Sequence, residues 1–360
     1  MPGSQTGDLI DQFLTSQVNL HKTPSVQYVF FDASNIIHRF QYGWADIKNG
    51  IAADEATTYN AFSVTKTFTA LSVLRLAESK TIDIDDPVKK YLPEFPYSAG
   101  ITIRQLLTHS SGIPNPIPLR WIHLFREHGS FNRNEFFNEI FIKNRKTKSS
   151  PNEKYAYSNL GYVLLGQLLE KVSGLKYEDY VNLNILRPLN IGTDKLGFTI
   201  PNITRHAKGY IRTYSFENAM LGFLFDKGKY IGENEKGWSF FNYNYVNGPS
   251  YGGLIGTPNA FARYIQEFLK PYPVIFTEET KKKLFTENYT NNNKPTGVCL
   301  SWFKGALNSK PYFTHAGGGG GYYCEIRIYP EAERGSVIMF NRTGFKDERF
   351  LDQVDRYFFM

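Results

Sequence analysis

The order of elements along the chain is the strongest constraint on its fold: strand-like runs stand at both ends, and a long helical block separates them. Val26 to Phe31 and Ile36 to Tyr42 read as strands joined through the turn-forming Asp32-Ala33-Ser34-Asn35. Val298 to Phe303, Tyr322 to Tyr329 and Gly335 to Asn341 read as three more. Helical periodicity covers Asp8 to Asn19, Val64 to Ser79, Pro258 to Leu269 and Asp347 to Phe359. From Asp83 to Gly192 the pattern is mostly helical, broken by Pro114, Pro116, Pro118 and Pro151. Its strongest helix runs from Tyr157 to Val172 and stops at Gly174. Residues 201–256 are aromatic, Gly-rich and poorly periodic. Strands supplied by both termini must pair with each other. The pattern therefore predicts an α/β (α+β) fold, one antiparallel sheet flanked by helices, with an inserted mainly helical lobe. The expected division is residues 1–60 with 250–360 as the sheet domain and 61–249 as the helical domain.

Composition removes several function classes. A chain of 360 residues buries a core without staples, and its two cysteines cannot form a disulfide scaffold or a four-cysteine zinc site. Cys299 and Cys324 fall in strand-like runs and read as buried thiols, with a bond between them left open. The net charge of +7 is dispersed, and runs such as Lys281-Lys282-Lys283 read as solvated surface rather than a nucleic-acid patch. The histidines at 21, 38, 109, 123, 128, 206 and 315 form no ligand pair, so neither metal nor cofactor is expected. No stretch approaches 18 apolar residues, so no transmembrane segment is expected. Residues 1–20 carry no signal-peptide pattern; the expectation is cytoplasmic as written, or periplasmic or secreted if the N-terminus was trimmed. Oligomeric state stays open.

Ser63-Val64-Thr65-Lys66 carries the strongest chemical signal. At about 100° per residue, serine and lysine share one helix face a turn apart. A serine hydroxyl attacks poorly unless a base takes its proton, and a desolvated lysine can be that base. The helix N-terminus adds N–H groups for a developing oxyanion. An ordinary N-cap serine has the same local sequence. Ser173 with Lys176 and Ser301 with Lys304 repeat the spacing, but neither opens a long helix. Gly248-Pro249-Ser250-Tyr251-Gly252 fits a nucleophile elbow, yet no helix starts at Ser250; its partners would be His315 and one of Glu267, Glu278, Glu279 or Glu287. The run Gly317 to Gly321 lacks the Lys-Ser/Thr of a phosphate loop. It reads either as bare backbone beside a ligand or as a flexible turn.

Taken in order, these segments resemble the serine β-lactamase and penicillin-binding-protein superfamily, and within it the class C β-lactamase-like branch with its family VIII esterases and D-amino-acid-specific peptidases. Phe62-Ser-Val-Thr-Lys-Thr-Phe-Thr-Ala70 is similar to the branch's nucleophile helix, and Ile101 to Ile113 to its characteristic Leu-Leu-Thr-His segment. Tyr157-Ser-Asn159 resembles the Tyr-x-Asn motif, and His315-Ala-Gly317 stands where Lys/His-x-Gly is expected. The likeness runs from about residue 24 to 345. It implies a serine hydrolase that forms an acyl-enzyme on Ser63, with Lys66 and Tyr157 sharing the proton work, either one as the base. Asn159 would hold Lys66 and the acyl side chain. The N–H groups of Ser63 and Gly318 would form the oxyanion hole, and His315 would bond Tyr157 or touch the substrate.

Two departures bear on substrate. Histidine replaces the lysine that meets a carboxylate in many β-lactamases, which implies a small ester, amide or peptide substrate with weak or no β-lactamase activity. A true β-lactamase or D-Ala-type carboxypeptidase is the alternative, and a non-catalytic binder of peptides or cell-wall fragments is the alternative of another class. Pro188-Leu-Asn-Ile191 also departs from the branch's Pro-Leu-Gly-Met. Residues 115–150 and 210–250, with Trp121, Phe125, Phe136, Phe137, Tyr214, Phe223, Trp238, Phe240 and Phe241, are expected to wall the site.

Overall fold

The computed structural model describes residues 2–224, 226–343 and 349–360, without the side chains of 2–4, 223 and 224. The Phe223 side chain and the start of the expected helix at Asp347 lie outside the described residues. Strands β1 (Ser25–Phe31), β2 (Ile36–Asp46) and β3 (Ile51–Ala52) join four C-terminal strands, β4 (Phe303–Leu307), β5 (Lys310–Gly319), β6 (Tyr322–Tyr329) and β7 (Arg334–Phe340). The order is β4-β5-β6-β7-β1-β2-β3, antiparallel throughout. The termini meet where β1 pairs β7, with Val26 opposite Phe340.

Helices α1 (Pro2–Asn19), α2 (Thr65–Glu78), α3 (Asn159–Ser173), α4 (Pro258–Gln266) and α5 (Leu351–Asp355) organise the two faces. Every residue of β1 is buried, as a central strand covered on both faces must be. Val26, Tyr28 and Phe30 pack with Ile10 and Leu14 of α1 and Leu351 and Val354 of α5. Val29 and Phe31 belong to the larger core shared with α2, α3 and α4. Among the described residues no helix is long and apolar enough to cross a membrane.

Helix α2 differs from the single apolar side that its periodicity suggests. All residues from Thr65 to Leu74 are buried, because α2 runs through the middle of the helical part. Three of its threonines are satisfied by main-chain groups, while Ser72 Oγ is buried with no partner among the described residues. Thr67 Oγ1 donates to the Val64 carbonyl, Thr69 Oγ1 to that of Ser250, and Thr65 Oγ1 accepts the Leu254 N–H.

Three expectations need correction. Residues 298–302 are not a strand: the Cys299 N–H bonds back to the Trp302 carbonyl, and the pairing with β5 begins at Phe303. Strand β5 is unpredicted, since glycines at its end erase the alternation that marks a strand; backbone pairing with β6, Gly317 opposite Cys324, holds it. Residues 201–256 hold a three-stranded sheet of Gly209–Arg212, Ile231–Glu235 and Trp238–Phe241. It is tied to the end of β2 by buried Lys208, which pairs with Asp46 at 3.0 Å and Glu235 at 2.6 Å. Cys299 and Cys324 are both buried and unbonded.

A buried polar network fastens α5 to the sheet. Arg327 pairs with Glu325 at 2.7 Å and also with Asp352, while Asp355 accepts from Tyr28, Tyr329 and Ser336. Burial pushes the Glu325 and Asp355 carboxyls up, and the Arg327 guanidinium opposes that shift. Removing one partner of such a buried set leaves an uncompensated charge, which costs about 3–5 kcal/mol. Arg327→Met is expected to lower unfolding stability by about that amount, measured by urea denaturation; a loss within experimental error of zero contradicts this role.

Candidate active site

The site forms where the open edge of the sheet meets the start of α2. Strand β4 pairs with β5 only as far as Thr314, so residues 315–319 leave one edge unpaired. Against that edge lies the single 3-10 turn Phe62–Val64, which carries Ser63 and leads into α2. Contact is so close that a Cβ on Gly317 would lie 2.2 Å from the Ala61 carbonyl oxygen and 2.6 Å from the Ser63 nitrogen. Only glycine fits there. At Gly318 a Cβ would meet nothing nearer than 3.6 Å, so that position has no such steric demand. Gly317 to Gly319 finish β5, whereas Gly320 and Gly321 form the turn with φ of 48° and 92°. The glycine run therefore serves as bare strand backbone and as a turn.

Ser63 sits ahead of the α-helix rather than capping it. Its Oγ accepts hydrogen bonds from Lys66 Nζ at 3.0 Å and Tyr157 Oη at 2.8 Å. Lys66 is fully buried and also donates to the Tyr251 carbonyl at 2.7 Å. Its Nζ lies 5.0 Å from the ring centre of Tyr157, and 5.5 Å from those of Tyr162 and Tyr251. Burial drives the Lys66 amine well below the ordinary lysine range, because the charged form has lost its water.

Tyr157 differs from its expected place inside a helix. Helix α3 begins at Asn159, capped by Ser158, whose Oγ accepts the Gly161 N–H at 3.1 Å. Tyr157 lies in the non-helical segment just before it and points across to Ser63. Asn159 lines the cavity at the first turn, but its Oδ1 is buried with no partner among the described residues. The expected grip of Asn159 on Lys66 is not formed, since the Tyr251 carbonyl takes that bond.

His315 is also buried. Its Nδ1 donates to the Ala316 carbonyl at 2.8 Å, which leaves Nε2 as a lone-pair acceptor with no partner among the described residues. The expected bond to Tyr157 is therefore absent. Burial, with Lys66 nearby, pushes the imidazole down to about 3, so it is neutral.

These groups open on a cavity of about 670 Å³. Of the aromatic residues expected to wall it, none of those described does so. Trp121 and Phe137 pack edge-on against Tyr251 as core, Trp238 covers Tyr210, and Tyr214 is 90% exposed elsewhere. The walls come instead from Phe62, Tyr155, Phe303, Tyr322 and Tyr323, with Pro118 the one residue from those two stretches. Arg342 and Arg349 also line it. The elbow candidate Ser250 is buried and donates to the Tyr162 carbonyl at 2.8 Å, away from any histidine. Its turn matters for another reason, because it presents the Tyr251 carbonyl to Lys66. A backbone acceptor leaves no signal in sequence beyond the Gly and Pro that shape the turn.

Comparison with known proteins identifies the family of the chain. The family model described as Beta-lactamase matches residues 10–357. Penicillin-binding protein 4* of Bacillus subtilis (strain 168) is 24% identical over 325 residues, which is 86% of this chain and 66% of that protein. The chain spans only 36% of Protein flp of Staphylococcus aureus (strain N315), 29% identical over 189 residues and 51% of this chain. Among solved structures, D-amino acid amidase from Ochrobactrum anthropi SV3 complexed with L-phenylalanine amide superposes with a TM-score of 0.79 at 18% identity, covering 98% of each chain. The octameric penicillin-binding protein homologue from Pyrococcus abyssi superposes at 0.76 with 24% identity, covering 94% of this chain and 74% of that one. The chain belongs to the Beta-lactamase family.

Gly317→Ala tests the close approach. The added methyl must push the Ser63 turn off β5, and a misplacement near 1 Å costs a reacting group about 100-fold. Labelling of Ser63 by a fluorophosphonate is expected to slow by at least that factor, while Gly318→Ala slows it far less. Equal effects at the two positions contradict the steric reading.

Proposed function

We propose that this member of the Beta-lactamase family is a serine hydrolase that cleaves small amides or esters through an acyl-enzyme on Ser63. The observation that carries the reading is the placement of Ser63 Oγ within hydrogen-bond reach of both Lys66 and Tyr157; burial, which lowers the Lys66 amine well below the ordinary lysine range, supports it. As a neutral amine that keeps its bond to the Tyr251 carbonyl, Lys66 can turn its lone pair to the Ser63 hydroxyl and accept its proton, so Lys66 is assigned as the base. Ser63 Oγ bonds to the substrate carbonyl carbon as its proton passes to Lys66. The developing oxyanion faces the N–H groups of Ser63 and Gly318 at the open edge of β5. The bond to the leaving group then breaks, and the proton moves from Lys66 through Tyr157 to the departing nitrogen or oxygen. Water attacks the ester and returns the proton to Ser63 by the same route. Asn159 orients the acyl side.

His315 narrows the substrate. A neutral imidazole that offers only an acceptor lone pair gives no cation to a carboxylate. At this position that favours uncharged amides and esters, in keeping with the amidase among the structural neighbours, and leaves any substrate carboxylate to Arg342 or Arg349 in the cavity lining.

Ser63→Ala is expected to lower kcat/KM for p-nitrophenyl acetate by about 10⁴-fold or more and to abolish fluorophosphonate labelling, with nitrocefin turned over slowly at best by the unmodified protein. Label on Ser250, or turnover surviving in Ser63→Ala, refutes the assignment. Absence of both label and turnover favours a binding protein.

Lys66 also predicts a separation of activity from stability. An unfolded lysine titrates near 10.5, and the folded one well below. Between these values the unfolded chain holds one more proton, so stability falls as pH drops from the upper value toward the lower. Lys66→Met is therefore expected to raise the melting temperature at pH 7 while removing activity. In the unmodified protein kcat/KM rises with pH through the depressed amine pKa, at a pH below the ordinary lysine range. A melting temperature below that of the unmodified protein contradicts the burial of an uncharged amine.

A further inference from the structure

The segment Ile101 to Ile113 supplies no group to the proposed chemistry, yet it holds the strand of chain that carries Tyr157. We propose that His109 is a positioning residue that sets Tyr157 against Ser63, its backbone and Nδ1 fixing the Tyr157 segment and its ring face fixing the phenol. This rests on the proposed role of Ser63 and Tyr157.

Tyr157 has no helix or sheet to hold it, because α3 starts only at Asn159. Its main chain is fixed instead by the loop that follows Leu107. The His109 carbonyl accepts the Ala156 N–H at 2.7 Å, and His109 Nδ1 accepts the Ser158 N–H at 3.1 Å. The two bonds bracket Tyr157 on either side. Ser158 Oγ donates to the Pro114 carbonyl, the Asn159 N–H to Asn115 Oδ1, and the Asn152 N–H to the Ser110 carbonyl. The whole of 152–159 is thereby pinned to 109–115.

The imidazole itself lies against the phenol. Its centre is 4.3 Å from that of Tyr157 with planes 31° apart, and 4.9 Å from Tyr162 on α3. Lys66 Nζ approaches the Tyr157 ring as well, at 5.0 Å. The phenol is thus fixed by a flat neighbour and by the amine with which it shares Ser63.

The electronic state of His109 follows from its partners. A main-chain N–H can only donate, so Nδ1 is unprotonated and the proton sits on Nε2. That Nε2–H is buried and has no acceptor among the described residues. Burial, with Lys66 nearby, keeps the ring far below the ordinary histidine range, hence neutral. A buried donor left unpaired carries an energetic penalty. His109 also has φ of 53°, a region disfavoured for a residue with a side chain. Two local penalties at one residue in contact with Tyr157 fit a residue retained for placement rather than for stability. Asparagine would accept the Ser158 N–H and adopt that φ more readily. It would lack the ring.

A double-mutant cycle on the full chain tests this, with kcat expressed per Ser63 titrated by fluorophosphonate. His109→Ala is expected to lower kcat per titrated site about 10–100-fold with little change in KM, the scale of a misplacement near 1 Å. In a Tyr157→Phe background the same change should add less than about two-fold, because the group it places is gone. His109→Asn should restore melting temperature more than kcat, and His109→Phe should restore kcat more than His109→Asn does. Additive effects of His109→Ala and Tyr157→Phe, or a kcat that tracks melting temperature across all variants, overturn the proposal. Failure of the unmodified protein to be labelled at Ser63 is a separate result: it refutes the acyl-enzyme reading and His109's assigned role with it.

Discussion

Everything about the site depends on a lysine held out of water, whose amine burial pushes toward the uncharged form. Lys66 has no carboxylate among its hydrogen-bond partners, which are the Ser63 hydroxyl and the Tyr251 carbonyl. Three aromatic rings surround it at 5.0–5.5 Å. A carboxylate there would hold the ammonium form and cancel the chemistry. Dipoles without charge do the opposite: they hold the amine in place and leave its lone pair available. His315 and His109 are subject to the same constraint, each kept neutral chiefly by its burial.

That arrangement explains the shape of the fold around it. Helix α2 is buried on all sides from Thr65 to Leu74, which encloses Lys66 in its first turn. The sheet must present an open edge, so β4 stops opposite Thr314 and glycines let β5 touch the Ser63 turn. Ionic stabilisation is placed elsewhere. The Glu325–Arg327–Asp352 set fastens α5 on the sheet face opposite the helical core, and Lys208 with Asp46 and Glu235 anchors the small sheet. Both networks supply rigidity without putting a carboxylate beside Lys66.

Much of this was legible in the sequence, for physical reasons that also mark where legibility stops. Strand β1 and the starts of β2 and α4 have apolar patterns strong enough to place them nearly to the residue, whereas β2 runs four residues beyond the expected Tyr42, to Asp46. Spacing makes Ser63 and Lys66 candidates among other Ser-x-x-Lys pairs, and family resemblance singles them out together with Tyr157, Asn159, His315, Gly317 and Gly318. Strand β5 is hidden because a run of glycines has no pattern, although backbone pairing is what makes it a strand. The Tyr251 carbonyl is hidden because main-chain acceptors are common to every residue. Aromatic density misleads about the cavity: Trp121 and Phe137 are large and apolar, so they fill the core behind Tyr251, while smaller segments supply the walls. His109 stands in a segment recognisable by its wording, but its work is a contact with Tyr157 across 48 residues of chain, which only the fold displays.

The central claim, a neutral Lys66 beside Ser63, can be observed without any substrate. Protein carrying ¹⁵N at the lysine side chains is examined by NMR at pH 7, with Lys66→Met as the assignment control. The account predicts one Nζ resonance in the position of an uncharged amine, absent from the Lys66→Met spectrum, with the remaining lysines as ammonium. A spectrum in which Lys66 is an ammonium at pH 7 would contradict it.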